Sequence, residues 1–529
     1  MHTPTSQKRV NIVSELAAKD TRPWYRKPTL RGLYLVLLPA CVGAEMTSAF
    51  DLNLMTVLQA TTSWKKFYDF PSATLLGQMT AIYSLGAICS LPFVPLVVDG
   101  RGRRASMILG CALMIFGAIL EGLATNVHMF IAARFILGFG GPFSVVGSAS
   151  LLAELSHPKE RAVMTSLFTG FFGIGSMMVA AISLRTCTMH SNWGWRIPSF
   201  LQATPSIFQL IFIFMVPESP RWLIAKGRGS EASAILVKYH GEGDAQSEFV
   251  KAEYAEIEKT LREEINTGHG GWLELISTPA MRKRSMIALF LGVAANWTGG
   301  GLIGTYLPRI LATIGIHNNL TKNRIDLALS CWGLLCTTSL AVIVPRFKRR
   351  TMFLISAVSI LLILVGWTVA TAQFTKSESH GSATAVLVFI FLFVPAMGVG
   401  YGALTYTYLM ELFPFYLRAK GIVTISWFSR ITGFFGQFVN PIGLQNAGWK
   451  YYISFCVAVT FQIVFIYFMF PETAGLTLEE LAFLYEDKET QKAGERTMSS
   501  TSTSTAGSAG EKTLCSTPEC EELPRLEVA

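Results

Sequence analysis

The feature that most constrains this chain is a succession of apolar stretches long enough to cross a lipid bilayer. LYLVLLPACVGAEMTSAF at 33–50 and IALFLGVAANWTGGGLIGTYL at 287–307 are two of them. A membrane-spanning helix needs about 20 mostly apolar residues at about 1.5 Å per residue. Of the 529 residues, 51% are hydrophobic and 15% are charged, which is too little charge for a soluble chain of this length. The sequence therefore predicts an all-α membrane protein and excludes a soluble one.

Twelve spans can be placed, six on either side of an interior polar stretch. They cover residues 31–58, 74–98, 105–124, 127–153, 162–185, 196–216, 284–311, 326–344, 351–371, 383–411, 418–443 and 449–470. The polar stretch carries charged and apolar residues at helical spacing, which predicts a few short helices. We therefore expect an N-terminal segment at 1–30, a six-helix bundle at 31–216, a helical linker at 217–283, a second bundle at 284–470 and a Ser/Thr-rich, largely disordered tail at 471–529.

Basic loops indicate how the bundle is oriented. An even number of spans puts both termini on one side, and Lys and Arg mark the cytoplasmic side of membrane proteins. They cluster between the second and third and between the eighth and ninth spans: Arg101, Arg103, Arg104, Arg346, Lys348, Arg349 and Arg350. The segment at 1–30, the linker and the tail are therefore predicted to be cytoplasmic. Membrane lipids surround the spans, and the net charge of +9 needs no nucleic acid to explain it.

An internal repeat supports the division into six plus six. Glu154-Leu155 is followed seven residues later by Arg161-Ala162, and the same pattern recurs 257 residues on as Glu411-Leu412 and Arg418-Ala419. Pro217-Glu218-Ser219 recurs 254 residues on as Pro471-Glu472-Thr473. Carriers commonly consist of such paired halves, with the substrate site between them near the bilayer midplane.

These motifs resemble the sugar-porter family of the major facilitator superfamily. The likeness is carried by DGRGRR at 99–104, RFILGFG at 134–140, WRIP at 195–198, PESPRWL at 217–223 and PETAGLTLEE at 471–480. The stretch at 83–104 and the motifs QFVNP and GWKYY look most like the fungal branch of lactose and hexose permeases. The resemblance implies twelve helices in two pseudo-symmetric six-helix bundles, alternating access, and a plasma-membrane carrier of a sugar or sugar-like solute, often coupled to protons. We expect a monomer that needs no cofactor.

Some positions depart from the family's pattern and leave the substrate open. The seventh span has Asn296 and Gly300 where the family has glutamine and asparagine, and the fifth has Thr169 where many members have glutamine. Tyr406 stands where hexose carriers have tryptophan. Amides suit sugar hydroxyls because they both donate and accept hydrogen bonds, and an aromatic face packs against a sugar ring. We therefore expect the substrate site among Asn296, Trp297, Tyr406, Gln437 and Asn440, although each alone could be a helix–helix contact.

Four ionisable residues stand out inside spans, where charge is costly and usually functional: Glu45, Asp51, Arg134 and Arg430. Asp51 and Arg134 match the acid and base of proton-coupled relatives and lie at similar depth. An aspartate held by an arginine stays ionised, and one buried without such a partner takes up a proton more readily. The pair is therefore predicted to couple protons to conformation, with a structural ion pair as the alternative.

Arg430 lies roughly 18 Å beyond Arg418, close to mid-bilayer, and Glu45 reaches a similar depth. Burying an arginine there without a counter-charge costs free energy, so we expect either Glu45 or a substrate anion to neutralise its charge. The anion hypothesis points to a carboxylate-bearing solute such as a sugar acid. A structural Glu45–Arg430 pair is the equal alternative.

A group of charged residues at the cytoplasmic ends of the spans resembles the family's inner salt-bridge cluster. Such a network would hold the inner gate shut in the outward-facing state, although each pair alone is weak. Its predicted members are Asp99, Arg103, Arg104, Glu154, Arg161, Glu218, Arg221, Glu411, Arg418 and Glu472.

No zinc spacing, phosphate loop or nucleophile constellation appears in the sequence, so we expect no enzymatic activity. Two functions compete with proton-coupled sugar import. A carrier of an organic acid or a polyol is favoured by Arg430 and by the missing glutamines. A non-transporting nutrient sensor is disfavoured because only about 50 residues follow Glu480.

Overall fold

The computed structural model describes residue 16 and residues 22–266, 272–343, 347–402, 404–413 and 418–473. Every regular element within these residues is a helix. The tail predicted to be disordered lies outside the described residues from 474 onward, as does nearly all of the N-terminal segment before residue 22.

The first six spans, which we call the N-half, follow one another with short connections. They are α1 (Pro28–Ala60), α2 (Ala73–Ser90, continuing as Val94–Arg101), α3 (Arg103–Gly122), α4 (Val127–Leu155), α5 (Arg161–Thr186) and α6 (Trp193–Leu201 with Ala203–Ile213). The side chains of Ser72 and Asn126 begin α2 and α4 by accepting hydrogen bonds from Leu75 N and Met129 N, at 3.2 and 2.8 Å.

The last six spans, the C-half, repeat this arrangement. They are α7 (Pro279–Ala294 and Gly300–Thr313), α8 (Asn319–Ile343), α9 (Arg349–Ser377), α10 (His380–Met397, then a π-turn at Gly398–Gly402 and Thr405–Leu412), α11 (Arg418–Ala447) and α12 (Tyr451–Met469). Eight stretches within the described residues are long and apolar enough to cross a membrane, one of them covering both α11 and α12. The helix of α7 is interrupted, and Gly299 in the interruption has φ +96°, a conformation that glycine adopts freely.

Between α6 and α7 the described residues form three further α-helices, Pro220–Ala225, Gly229–Tyr239 and Glu248–Asn266, and a 3₁₀ helix at Trp272–Ile276. Buried His240, directly after Gly229–Tyr239, joins that helix to Glu248–Asn266 and to α4. Its Nδ1 lies 2.7 Å from Glu253 Oε2, and its Nε2 lies 3.3 Å from the carbonyl of Leu155. The ring of His157 stands 5.4 Å away. The linker is thus anchored to the end of α4 by a hydrogen bond from His240, a titrating group that its ion pair with Glu253 holds in place.

The anchoring of the linker is expected to weaken as the pH rises. Burial alone lowers the pKa of His240, but the Glu253 carboxylate more than offsets it, so that the pKa lies above 6.5. The stabilisation is therefore complete below about pH 6.5 and is lost as the pH rises through the higher folded-state pKa. Burial raises the pKa of Glu253 and His240 lowers it, with a net decrease, so the contribution of Glu253 is present above about pH 4.5 and is lost as the pH falls through the lower folded-state pKa. The protection factor for hydrogen exchange in Glu248–Asn266, which removes the intrinsic rise of exchange with pH, should be lower at about pH 9 than at about pH 6.

Two variants check that expectation. His240→Gln should have low protection factors in Glu248–Asn266 at both pH values, because glutamine does not titrate. Glu231→Gln breaks an exposed pair with Arg228 in the same linker and should leave the pH dependence unchanged. The other titratable groups near His240 are His157 and Arg161, so equal pH dependence in wild type and His240→Gln would assign the effect to His157 instead.

Glycines let α2 and α4 approach backbone to backbone. A Cβ placed on Gly138 would lie 1.9 Å from the carbonyl oxygen of Tyr83, and one placed on Gly86 would lie 2.3 Å from that of Phe135. Real Cβ atoms do not come that close to backbone, so any side chain at these positions must force the helices apart. The close approach holds Arg134, one turn before Gly138, against α2.

Gly138→Ala is therefore expected to destabilise the protein by about 1–3 kcal/mol, the typical cost of overpacking. The matched control is Gly170→Ala in α5, where an added Cβ meets nothing within 4 Å. Thermal unfolding of the two purified variants in detergent measures the difference. Equal midpoints would show that α2 and α4 can separate at no cost.

Candidate functional site

Asp51 of α1 and Arg134 of α4 meet in the core of the N-half, where Asp51 is 0% and Arg134 1% exposed. The Arg134 guanidinium donates from Nη1 to the backbone carbonyl of Asp51 at 3.0 Å. Neither carboxylate oxygen of Asp51 has a hydrogen-bond partner among the described residues, and no ion pair within 4.0 Å reaches it. The predicted partners are thus adjacent, but the contact is made by the backbone and the carboxylate is left unpaired.

Glu121 of α3 is a third acid beside this pair, and the sequence reasoning missed it. It is 0% exposed, and its Oε2 accepts from Gln202 Nε2 at 3.2 Å while its Oε1 has no partner among the described residues. It lies within electrostatic reach of Arg134. Its position inside an apolar span was the available signal. One buried arginine therefore faces two buried acids.

Tyr83 of α2 lies between the two charge pairs predicted from the sequence. Its ring is buried under Arg134, whose guanidinium carbon is 5.3 Å from the ring centroid. Tyr83 also lies within electrostatic reach of Asp51 on one side and of Glu45 and Arg430 on the other. The sequence did not single out this tyrosine, because an aromatic residue in a span carries no signal of its own.

Glu45 and Arg430 face each other across the two halves near the middle of α1 and α11. Each side chain is only partly buried, and the Arg430 charge is the one that acts on Glu45. No ion pair within 4.0 Å joins them among the described contacts. The structural pair that the sequence allowed is therefore not closed in this conformation, and Arg430 keeps donors for another partner.

Asn296 lies at the interruption of α7 and binds α11. Its Nδ2 donates to the carbonyl oxygens of Gly292 and Ser429, at 3.2 and 3.0 Å, and lies 3.1 Å from Ser429 Oγ. Ser429 directly precedes Arg430, so Asn296 of α7 contacts α11 next to Arg430. The adjacent Trp297 is 48% exposed.

The other amides predicted for the substrate site are engaged in helix–helix hydrogen bonds. Gln437 Oε1 accepts from Ser84 Oγ at 2.8 Å, which joins α11 to α2. Asn440 Oδ1 accepts from Tyr451 Oη at 2.9 Å, which joins α11 to α12. The side chain of Tyr406 lies outside the described residues. In this conformation Gln437 and Asn440 serve as contacts between helices.

Glu218 and Glu472 perform the same task in the two halves. Glu218 accepts from the backbone N–H groups of Arg103 and Arg104, at 3.1 and 3.2 Å, and so neutralises the start of α3. Glu472 accepts from Arg349 N and Arg350 N at 2.8 and 3.3 Å, at the start of α9. A carboxylate at a helix N-terminus satisfies two unpaired donors and complements the helix dipole. The sequence repeat is therefore also a repeat of contacts.

The remaining predicted gate residues of the N-half surround Arg103. Its guanidinium donates to both oxygens of Glu154, each at 3.1 Å, and to Asp99 at 3.5 Å, and Ser219 also donates to Glu154. Glu154 thus binds Arg103 of its own half. Arg104 donates to the Phe214 carbonyl at 3.4 Å, Arg161 is exposed at the start of α5, and Arg221 is partly buried. The side chains of Glu411 and Arg418 lie outside the described residues.

The two ends of the bundle differ in how the halves meet. We call the end with Arg103 and Arg349 the basic face and the other end the opposite face. Near the opposite face, hydrogen bonds cross between the halves: Thr56 to the Gly304 carbonyl at 2.7 Å, Gln59 to the Thr305 carbonyl at 2.9 Å, and Asn319 to Thr62 Oγ1 at 2.6 Å. A Cβ on Gly77 of α2 would lie 2.7 Å from the Phe438 carbonyl of α11. We call this junction the seam, and it is closed in this structure.

Known proteins resemble this chain over most of its length. The profile of the family described as "Sugar (and other) transporter" matches residues 36–485. A high-affinity glucose transporter of Kluyveromyces lactis is 27% identical, with 88% of this chain and 87% of the relative covered. Polyol transporter 5 of Arabidopsis thaliana is 27% identical, with 87% of each covered.

Among solved structures, the inward-open conformation of the xylose transporter XylE from E. coli matches with a TM-score of 0.71 at 21% identity, covering 86% of this chain and 100% of that one. A structure of the same protein described as a major facilitator superfamily proton:xylose symporter matches with a TM-score of 0.69. These likenesses confirm the predicted fold class, two pseudo-symmetric six-helix bundles. The chain belongs to the sugar (and other) transporter family and is an integral membrane protein with the twelve-helix fold of the major facilitator superfamily.

Proposed function

We propose that this protein imports a sugar or sugar-like solute across the plasma membrane by alternating access, driven by protons. The observation that carries the proton coupling is the buried, unpaired carboxylate of Asp51 beside Arg134. Two of the similar proteins, a glucose transporter and a proton:xylose symporter, support the substrate class and the coupling.

The basic face is the cytoplasmic side in this proposal, because lysine and arginine accumulate on that side of membrane proteins. Both termini then lie in the cytoplasm, and the closed seam shuts the outer side. The similarity to an inward-open structure supports an inward-facing state. Pairs such as Arg103–Glu154 would regroup between the halves when the inner gate closes.

Proton coupling follows from the cost of an isolated charge in a dry core. A carboxylate with neither an ion-pair partner nor a hydrogen-bond donor is disfavoured in a dry core, which makes Asp51 the group that would take up the coupled proton. Movement of Arg134 from the Asp51 carbonyl to the carboxylate would favour the ionised form and release the proton. One rearrangement of α4 against α1 therefore exchanges a proton each cycle, and Tyr83 connects it with Glu45 and Arg430 in the solute path.

Organic acids are the second candidate substrate class, and polyols the third. An organic acid as substrate is favoured by Arg430, which lies near the middle of α11 and forms no ion pair among the described residues. An arginine there is suited to a carboxylate because its planar fork donates two parallel hydrogen bonds. The polyol is supported by the matched polyol transporter.

Uptake by cells that lack their own sugar carriers tests the proposal. Labelled neutral sugars, sugar acids and polyols are offered one at a time at acid and at neutral external pH. Uptake of a sugar or sugar acid that increases with acidity is the expected result. If none of these compounds is taken up although the protein is present at the cell surface, the result would contradict transport and favour a sensor. Uptake that does not change with external pH would identify the protein as a facilitator.

A further inference from the structure

A cavity of about 210 Å³ lies at the opposite face, between the N-half and the C-half. The N-half supplies Gln59 at the end of α1 and Trp64 and Lys65 on the short helix Thr62–Phe67. The C-half supplies Arg309 of α7 and Lys322 of α8. Three cationic side chains therefore line one small space.

Among the described residues, these cations have no acidic partner. Lys322 is 5% exposed, and Lys65 and Arg309 are partly buried. No carboxylate of the described residues forms an ion pair within 4.0 Å with any of them. Burial, together with the charges of Lys322 and Arg309, lowers the pKa of Lys65 to about 8. Because isolated buried cations are costly and repel one another, this arrangement stabilises the protein only when an anion lies among them.

The cations lie on both sides of the seam. Lys65 belongs to the N-half, and Arg309 and Lys322 belong to the C-half. Two of the hydrogen bonds that close the seam, Gln59 to Thr305 and Asn319 to Thr62, are made by residues of the cavity wall or next to it. Opening the seam therefore separates the cations, and an anion that contacts both halves favours closure.

The cavity also offers groups suited to hydroxyls. Gln59 Oε1 is a buried acceptor, and Trp64 Nε1 a buried donor, without hydrogen-bond partners among the described residues. A bare anion cannot donate to Gln59 Oε1, whereas a hydroxyl can. The volume is below the roughly 300–1,000 Å³ of pockets for drug-sized ligands, which favours a solute of monosaccharide size or smaller.

We propose that this cavity binds the carboxylate of a small hydroxylated acid, such as a sugar acid, at the outer face before the solute reaches Arg430. The assignment of this face to the outside rests on the proposed function, whereas binding itself does not require transport. Lys65, Arg309 and Lys322 hold the carboxylate, and Gln59 accepts from a hydroxyl. Bound acid bridges the halves and promotes closure of the seam.

Calorimetric titration of the purified full-length protein with D-glucuronate and with D-glucose tests the proposal. Lys65→Gln and Lys322→Gln are each expected to weaken D-glucuronate binding about tenfold, since a hydrogen bond to a charged group is lost. The double variant should bind still more weakly, and Lys65→Arg should bind like wild type. The matched control is Lys66→Gln, because Lys66 is the next residue and is exposed. Binding of D-glucose should be unchanged in all of them.

The same titrations in an Arg430→Gln background separate this cavity from the middle of the bundle. The Lys65→Gln and Lys322→Gln effects should persist there. The thermal midpoints should not decrease, because each change relieves repulsion between cations. Unchanged D-glucuronate affinity in both lysine variants would overturn the proposal, as would wild-type affinity no greater than for D-glucose. A protein that binds D-glucuronate in this way but transports nothing would retain the site and contradict the proposed function alone.

Discussion

Asp51→Asn is expected to abolish accumulation of the solute against its gradient while leaving passive exchange intact. Asparagine has the size of aspartate, so it fits a position that is 0% exposed without repacking. It cannot exchange a proton, so the protein loses the link between the proton gradient and the conformational cycle. One pH unit corresponds to 1.36 kcal/mol, or an accumulation of about tenfold. With the wild type, the ratio of internal to external solute should approach that value, whereas with the variant it should stay near one.

The measurement uses proteoliposomes with an imposed pH gradient and, separately, counterflow without one. Asp244→Asn is the matched control, because Asp244 is exposed in the linker and its contact to Gln246 N can be kept by asparagine. Accumulation by Asp51→Asn equal to that of wild type would make the Asp51–Arg134 contact structural. Loss of both accumulation and counterflow, with normal thermal stability, would assign Asp51 a role in the conformational change itself.

Arg430→Gln is expected to lower kcat/KM for a carboxylate-bearing solute by about one hundredfold and to spare a neutral sugar. Charge-assisted hydrogen bonds between arginine and a carboxylate are about twice as strong as neutral ones, and two are lost together. Arg430→Lys should recover little of the lost kcat/KM, because lysine cannot present two parallel hydrogen-bond donors to a carboxylate. Uptake of a sugar acid and of its neutral parent sugar, compared side by side, measures the change.

The double variant Glu45→Gln/Arg430→Gln distinguishes the structural alternative. If Glu45 and Arg430 serve only to balance one another, each single variant loses stability and the double variant regains it. If Arg430 serves the substrate, the double variant transports the sugar acid no better than Arg430→Gln alone. Arg185→Gln, an exposed position at the end of α5, is the control for loss of a positive charge. Equal sugar-acid uptake by wild type and Arg430→Gln would remove the basis for an acidic substrate.

The helices were predictable because each is decided by local sequence. An apolar run of membrane-spanning length leaves its backbone no partner but itself, so it must be helical wherever the chain places it. The positions of charged residues at the ends of α3 and α9 were predictable for a similar reason, since a recurring motif repeats its contacts. Glu218 and Glu472 carry out the same task at the same offset as their motifs.

The partners of the site residues could be predicted only in part. The sequence placed Asp51 and Arg134 at one depth, and the structure brings them together, but through the carbonyl rather than the carboxylate. It placed Arg103, Glu154 and Arg161 in one inner cluster without assigning pairs, and the structure pairs Glu154 with Arg103. Which partner a charged side chain binds depends on differences of about an ångström in the positions of residues far apart in the chain. The local sequence does not contain that information.

The sequence alone determined that this protein is a twelve-span membrane carrier with two related halves, because hydrophobic length and motif repetition are properties of the chain itself. Only the tertiary structure decided which charges have partners. It left the Asp51 carboxylate unpaired, set Glu121 and Tyr83 beside Arg134, and gathered Lys65, Arg309 and Lys322 in one cavity. The physical reason is that the cost of a buried charge depends on what packs around it, and packing brings together residues that the sequence keeps hundreds of positions apart.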